Sequence, residues 1–266
     1  ETDWEGFALQ AAVKLDIFSS LGDSSLEARE VAEKLGGDVR GVTTLLNALT
    51  AMSLISRDGD RFTNTEGSSR LLSKDSPDYI GYIILHHYNL VEAWHHLDRA
   101  VVAGGPVRER SSFRGGEERE NFLMGMFNIA MQTAPVGARA VDLSGRRRLL
   151  DLGGGPGTWA IHFCLANPDL KATVFDLETS RTFAERTIDR FRFSDRVSFE
   201  GGDYLKDEIG SGYDAVWLSH ILHSEGPEDC EVIIAKAVGA LEPGGKILIH
   251  EYLLDNDLTS PRRAAR

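Results

Sequence analysis

Three acidic residues stand at the ends of short apolar runs in the second half of the chain. Asp151 follows RRLL, Asp176 ends TVFD, and Asp203 ends FEGGD. An ionised carboxylate only accepts hydrogen bonds, so it suits the hydroxyls of a ribose or an amino group better than a phosphate. Each acid alone could instead be a helix N-cap. Their recurrence in three successive segments favours a shared ligand site.

The segment after Asp151 is rich in glycine. Gly153, Gly155 and Gly157 give the pattern acid-x-G-x-G-x-G. Glycines at a strand-to-helix turn let the backbone approach a ligand closely. The dinucleotide pattern GxGxxG fails because Thr158 takes the place of the last glycine, and no Gly-Lys-Ser/Thr follows as in a P-loop. We therefore expect a ligand that needs no phosphate cradle.

These residues must be positioned by strands and helices that alternate from residue 146 onwards. Strands are predicted at RRLLDLG, KATVFDL, RVSFEGGD, YDAVWLS and GKILIHEYLL. Helices are predicted between them at TWAIHFCLANP, TSRTFAERTIDRF and PEDCEVIIAKAVGALEP. Such alternation predicts an α/β domain whose parallel sheet is covered on both faces and binds ligands at the carboxyl ends of its strands.

The first half of the chain has a different pattern. SLEAREVAEKLGGDVRGVTTLLNALTAMSLI has apolar residues at helical spacing on both sides of a GGD turn, and LISRDGDRFTNTE reads as two short strands around a turn. This predicts a winged helix. Its second helix carries only Arg40 as a cation, whereas DNA binding needs clustered basic residues. We expect a dimerisation module that makes the protein a homodimer, and a DNA-binding regulator remains the rival interpretation.

Composition limits the partners and the location. The 266 residues include 41 Asp and Glu against 29 Lys and Arg, a formal net charge of -12 that disfavours nucleic acid. Cys164 and Cys230 lie in predicted helices without a disulfide or zinc spacing. The apolar stretch YIGYIIL is too short to cross a membrane, and ETDWEGFALQ lacks signal-peptide features. We expect a cytoplasmic protein with no membrane partner.

Several segments together resemble a known family. LLDLGGGPGT, VFDL, FEGGDYL and ALEPGGKILIHEYLL, with VEAWHHLDRAVVAGGPV and NFLMGM upstream, resemble class I S-adenosylmethionine-dependent methyltransferases. The resemblance is to small-molecule O-methyltransferases of the plant caffeic-acid and bacterial polyketide-tailoring types. It implies a Rossmann-like methyltransferase sheet at 146–266, preceded by a winged-helix dimerisation domain at 1–104 and by linking helices at 105–145 that close over the substrate.

The resemblance also implies which residues bind S-adenosylmethionine. They are Asp151, Gly153, Gly155, Gly157, Asp176, Leu177, Asp203, Tyr204 and Ser219. The glycines would frame the amino-acid end of the cofactor. Asp176 beside Leu177 would bind the ribose, and Asp203 with Tyr204 the adenine. Ser219 stands where plant members often carry a lysine.

Methyl transfer to oxygen needs a base that removes the proton of the acceptor. In WLSHILHSEGPEDC, His223 matches the catalytic histidine of the family, and His220 is the competing base or a substrate contact. Ser224 and Glu225 follow His223 where the family carries an acidic or amide residue and a tryptophan. A same-fold relative that hydroxylates its substrate is therefore a second rival interpretation.

Two groups of residues upstream could also contribute. Trp94, Phe122 and Met126 lie in the segments that resemble the lid, where they would sandwich a flat aromatic acceptor, although plain core packing is equally compatible with their types. The histidines His86, His87, His95 and His96 have no acid or cysteine at a suitable helical spacing. No metal site is predicted.

The family resemblance extends past the end of this sequence. Members continue beyond EYLLDND with a further helix and a final antiparallel strand pair, which usually supplies an acidic residue beside the catalytic histidine. The sequence given ends at TSPRRAAR. We therefore expect the C-terminal strands and the supporting acid to be absent.

Overall fold

A computed structural model describes residues 2–108, 111, 113–262 and 264–265. The chain forms two compact units, residues 1–128 and 129–266. The boundaries that the sequence places at 104 and 145 stay a prediction. Within the described residues, no helix combines the length and the apolarity needed to cross a bilayer.

The first unit is mainly helical. Its helices are α1 (Thr2–Lys14), α2 (Ile17–Leu21), α3 (Ala28–Leu35), α4 (Val39–Ala51), α5 (Glu66–Leu72), α6 (Gly81–His95), α7 (Leu97–Ala103) and the first part of α8 (Gly116–Ala140). Its strands are β1 (Leu26–Glu27), β2 (Ile55–Asp58) and β3 (Arg61–Asn64), which pair antiparallel in the order β1-β3-β2.

The predicted helix-turn-helix and its wing are both present in this unit. Gly36 ends α3 at φ 64°, and the Asp38 carboxylate accepts a hydrogen bond from the Gly41 N–H (2.9 Å) at the start of α4. β2 and β3 follow as the predicted hairpin. The sequence did not predict β1, because two residues are too short to show a period. Apolar residues buried in this unit include Phe18, Leu46, Leu49, Ile55 and Phe62.

The second unit is built on a parallel sheet. Its strands are β4 (Arg148–Leu152), β5 (Lys171–Asp176), β6 (Val197–Gly201), β7 (Tyr213–Ser219) and β8 (Leu241–His250). They pair in the order β6-β5-β4-β7-β8. The helices α9 (Thr158–Ala166), α10 (Arg181–Arg190) and α11 (Pro227–Ala240) lie between strands in the chain, with short 3₁₀ turns at Glu178–Ser180 and Leu222–Ser224. This architecture confirms the predicted α/β domain built on a parallel sheet.

Successive strand residues pack into different apolar clusters on the two faces of the sheet. Leu149 joins a cluster with Trp159 and Phe163 of α9, whereas Leu150 joins a cluster with Ile233 of α11. Side chains alternate across a strand, so a strand covered on both faces must be apolar at consecutive positions. The run RLLDL meets this requirement.

One predicted strand ends earlier than expected. GKILIHEYLL was expected to remain a strand to its end, but β8 stops at His250. His250 pairs with Ser219, the last residue of β7, so the residues beyond it lack that neighbour in the sheet. Leu253, beyond the end of β8, is 78% exposed.

Candidate active site

The carboxyl ends of the five parallel strands lie at one edge of the sheet. This edge carries the glycine turn after β4, Asp176 at the end of β5, Asp203 after β6, and His220 after β7. Parallel pairing requires this convergence, because every strand runs in the same direction. Residues that are distant in sequence therefore share one potential site.

The glycine turn joins β4 to α9 and has an unusual backbone. Gly153, Gly155 and Gly157 adopt φ values of 70°, 50° and 77°, which L-residues with side chains rarely adopt. A Cβ at Gly153 would lie 2.6 Å from Cγ2 of Ile221. These constraints explain the spacing of the glycines, and they leave backbone rather than side chains facing the edge of the sheet.

Asp151 lies beneath this turn and is buried. Its Oδ2 accepts a hydrogen bond from the Ala160 N–H (3.2 Å) in the first turn of α9. Burial is the main reason that the pKa of Asp151 is raised to about 7. The hydrogen bond from Ala160 lowers this pKa, and the negative charge of Asp176 raises it further. Asp151 is therefore a poorly solvated acid that a nearby positive charge would stabilise.

Asp176 is fixed by three donors at the end of β5. Its Oδ2 accepts from the Gly155 N–H (2.8 Å), and its Oδ1 accepts from the Leu177 N–H (2.8 Å) and the Ser180 hydroxyl (2.7 Å). Burial raises the pKa of Asp176, and these hydrogen bonds oppose the shift. A carboxylate offers about four acceptor positions, so Asp176 can still accept from a ligand hydroxyl.

Asp203 and Tyr204 follow β6 and make separate contacts. The Asp203 carboxylate accepts from Lys206 Nζ (2.7 Å) and from the Leu205 N–H (2.9 Å). Burial alone would raise the pKa of Asp203, but the hydrogen bond from Lys206 and its charge hold it below the usual value. The Tyr204 hydroxyl donates to Oε1 of Glu225 (2.8 Å), which links the β6 end to the loop after β7.

Ser219 and His250 end the paired strands β7 and β8. Oγ of Ser219 lies 2.9 Å from Nδ1 of His250, whose ring stacks on Trp217 at 5.6 Å between centroids. Ser219 was predicted as a cofactor contact, and the structure gives it this histidine as a polar partner. The cofactor contact stays a prediction.

His223 lies beside a carboxylate that no motif in the sequence indicates. Nδ1 of His223 is 2.9 Å from Oε2 of Glu251, and Nδ1 of His220 is 3.6 Å from the same oxygen. The other oxygen, Oε1, accepts from the Leu222 N–H (2.8 Å). The Glu251 side chain is 7% exposed and that of His223 is 51% exposed. A buried acid thus orients a histidine that solvent and ligands can reach.

The expectation that His223 lacks a supporting acid is therefore wrong, because Glu251 takes that place. The expected absence of the C-terminal strands stays a prediction. Glu251 directly follows β8, and the pairing of His250 with Ser219 brings it beside the loop after β7. The acid lies 28 residues from His223 in the chain, so neither residue spacing nor helical periodicity indicated the pair. A prediction of which strands are neighbours, with their register, would have revealed it.

The predicted acceptor residues belong to the first unit. Trp94 is 62% exposed on α6, whereas Phe122 and Met126 are half-buried on α8. The Phe122 ring packs against His86 at 5.3 Å between centroids. Phe122 therefore has a packing role in its own unit, and the proposed role of these residues in acceptor binding stays a prediction.

The chemistry of this edge fits the expected cofactor. S-adenosylmethionine carries a sulfonium, an ammonium and a carboxylate, for a net positive charge, with a ribose and an adenine but no phosphate. Asp151 and Asp176 are poorly solvated acids for which no ion pair is found among the described residues. Asp176 retains acceptor capacity for a hydroxyl group. These groups match a cationic nucleoside better than an anionic dinucleotide.

Comparisons with known proteins agree with this chemistry. Residues 100–265 match the O-methyltransferase domain family, and residues 4–74 match the O-methyltransferase dimerisation domain family. The chain is 34% identical over 268 residues to 3-hydroxy-5-methyl-1-naphthoate 3-O-methyltransferase of Streptomyces sahachiroi, covering 98% of this chain and 78% of that protein. It is 34% identical to the tetracenomycin polyketide synthesis 8-O-methyl transferase TcmO of Streptomyces glaucescens, covering 95% and 76%.

A solved structure extends the similarity to a protein with bound cofactor. Human N-acetylserotonin methyltransferase in complex with S-adenosylmethionine superposes with a TM-score of 0.83 at 27% identity, covering 96% of this chain and 78% of that one.

The buried state of Asp151 generates a prediction about stability. The pKa of Asp151 is higher in the folded chain than in the unfolded chain. The contribution of Asp151 to the free energy of unfolding is therefore fully present below its unfolded pKa and is lost as the pH rises through about 7. Asp151→Asn keeps an oxygen for the Ala160 N–H but cannot ionise. The free energy of unfolding of Asp151→Asn minus that of wild type should therefore be larger at pH 8 than at pH 5, by roughly 1–4 kcal/mol.

Urea unfolding without added cofactor at both pH values measures this difference. Asp142→Asn is the control, because Asp142 is exposed and its pKa is lowered by hydrogen bonds from Ser144. The control should show no gain at pH 8. Equal effects of Asp151→Asn at pH 5 and pH 8 would contradict the raised pKa.

Proposed function

The chain belongs to the O-methyltransferase family, and we propose that it methylates a hydroxyl group of a small aromatic molecule, with His223 as the general base. It is an S-adenosylmethionine-dependent O-methyltransferase that acts on small molecules. The main support for His223 as the base is the 2.9 Å contact between its Nδ1 and the buried Glu251 carboxylate.

The residues at the sheet edge have two tasks in this reaction. When bound, S-adenosylmethionine supplies a methyl group on a positively charged sulfur. The methyl group passes to the acceptor oxygen, and the sulfur is left as a neutral thioether. The chain must align the acceptor oxygen and remove its proton. A neutral His223 that donates its Nδ1–H to Glu251 keeps a lone pair on Nε2. Nε2 then takes the hydroxyl proton as the oxygen attacks.

Glu251 supports this transfer by staying charged. Burial alone would raise the pKa of Glu251, but the hydrogen bond and charge of His223, with the Leu222 N–H, hold it below the usual value. The carboxylate therefore stabilises the imidazolium that His223 becomes after it accepts the proton. Glu251 is a positioning residue in this scheme, because it acts through the imidazole.

The proposed acceptor is aromatic for two reasons. One relative is named for a hydroxylated naphthoate, which is a flat aromatic molecule. In this chain, Trp94 presents a largely exposed indole on α6, and an exposed aromatic surface of that size suits stacking against a flat ring. The predicted roles of Phe122, Met126 and His220 as acceptor contacts are part of the same proposal.

We also propose that the enzyme is a homodimer formed through its first unit. The inner face of α1 buries Ala12 and Val13, while Trp4 is 77% exposed and Phe7, one turn later, is also exposed. A helix with apolar residues on two faces needs two partners. The matched dimerisation domain begins at residue 4, so it includes the exposed stripe.

The role of His223 is tested with an identified acceptor. Phenolic metabolites are screened for a methyl-sized mass gain, and kcat is then measured for His223→Ala and His220→Ala. A positioned base contributes about 10²–10⁴-fold, so His223→Ala should lose kcat on that scale. Its S-adenosylmethionine affinity by calorimetry should stay within about threefold, because no cofactor contact is removed.

Three outcomes would contradict this assignment. Unchanged turnover in His223→Ala would remove its role as the base, and a selective loss in His220→Ala would move that role to His220. A product that gains one oxygen atom instead of a methyl group would favour the hydroxylating rival.

The dimer is tested by a charge in the apolar stripe. Trp4→Glu should shift the protein from dimer to monomer at micromolar concentration in light scattering, because a buried carboxylate without a partner is costly. Val238→Glu is the control, because Val238 is an exposed apolar residue on α11 of the second unit. A wild-type monomer, or a Trp4→Glu dimer as stable as wild type, would contradict the proposal.

A further inference from the structure

His220, His223 and Glu251 lie together in an arrangement that proton transfer alone does not require. One ligand atom from each residue lies within 4.8 Å of those of the other two. We propose that these three residues bind a divalent transition-metal ion of the zinc type, and that the bound metal inhibits methyl transfer. The inhibitory part rests on the proposed function of His223, whereas metal binding does not.

The distances already approach those of a metal site. Zinc lies about 2.0–2.2 Å from nitrogen and oxygen ligands, so two ligands of a tetrahedral ion are roughly 3.3 Å apart. Oε2 of Glu251 is 2.9 Å from Nδ1 of His223 and 3.6 Å from Nδ1 of His220. These two values lie on either side of the tetrahedral spacing. The ligand atoms of the two histidines lie within 4.8 Å of each other, so rotation of the side chains must bring the two imidazoles closer together to admit the ion.

The donor set selects the class of metal. Two imidazoles and one carboxylate suit zinc and neighbouring transition metals, whereas magnesium and calcium prefer oxygen ligands. Three protein ligands leave a further coordination position for water, as in zinc sites that are open to solvent. The half-exposed His223 gives an ion access from solvent.

The surroundings hold two of the ligands in place. Oε1 of Glu251 accepts from the Leu222 N–H, which leaves Oε2 directed at the histidines. The His220 ring packs against His250 and Tyr252 at 4.6 and 5.0 Å between centroids. Partners that orient the ligands in this way usually strengthen metal binding.

The backbone of His220 is also unusual. His220 has a φ of 55°, a left-handed conformation that is uncommon outside glycine, and its N–H donates to the carbonyl of His250 (3.0 Å). Such backbone strain persists where the surrounding structure determines it and is concentrated at functional sites. Here it turns the chain sharply after β7 and brings His220 and His223 to the same carboxylate.

A metal ion on these atoms would prevent His223 from acting as a base. When Nδ1 of a neutral imidazole binds a metal, the proton of the ring is on Nε2. Nε2 then cannot accept the acceptor proton. The metal also occupies the Glu251 oxygen that would stabilise the imidazolium. Zinc and catalysis therefore compete for the same atoms.

The experiment measures zinc binding to the tag-free full chain by calorimetry, with the visible absorption of Co²⁺ as a second readout. Wild type should bind one ion per chain at this site. His220→Ala and Glu251→Gln should each weaken binding at least about tenfold. His95→Ala is the control, because His95 is an exposed histidine on α6, and it should bind zinc like wild type. Unchanged S-adenosylmethionine affinity shows that each variant is folded.

Inhibition is measured in parallel on an identified acceptor. Zinc should inhibit wild type over the concentration range in which it binds, and the residual activity of His220→Ala should resist it. Zinc binding that is equally tight in wild type and His220→Ala would overturn the metal site, whatever the activity. Zinc that binds at this site without inhibiting would overturn the inhibitory role. An active His223→Ala would instead overturn the proposed base and leave the metal site standing.

Discussion

Parallel pairing of five strands is the constraint on which the candidate site depends. The strands leave the sheet at one edge, and each contributes one part there: a glycine turn, an acid, or a histidine loop. The pairing of β7 with β8 matters most, because Ser219 opposite His250 places Glu251 beside His223. Without that register, the base would have no buried carboxylate to orient it.

The same edge contains two acidic side chains whose negative charges are poorly solvated. Asp151 and Asp176 are poorly solvated, and the charge of Asp176 adds to the rise in the pKa of Asp151. A cationic cofactor relieves this repulsion, whereas a dinucleotide would add to it. On the other side of the edge, Glu251 is buried too, but two histidines face it. The edge thus has one part, at Asp151 and Asp176, that favours a cationic cofactor. The other part, at His223 and Glu251, can accept a proton.

Much of this organisation could be predicted from the sequence, because it is encoded locally. The alternation of strands and helices predicted the parallel sheet. The glycine spacing predicted a turn, and its glycines have positive φ values in the structure. The winged helix followed from apolar periodicity around GGD. The extent of β8 and the role of Glu251 did not follow, because both depend on which strand lies beside which. The left-handed backbone at His220 also has no local sequence signal, since only a few per cent of residues other than glycine adopt a positive φ.

The central claim is that Glu251 acts through His223, and a double-mutant cycle on kcat tests it most directly. Glu251→Gln is compared in the wild-type background and in the His223→Ala background, with an identified acceptor and saturating S-adenosylmethionine. If the two residues act as one unit, Glu251→Gln lowers kcat by about tenfold or more in the presence of His223 and has almost no effect in its absence. An equal loss in both backgrounds would show that Glu251 acts independently of His223, which contradicts the claim.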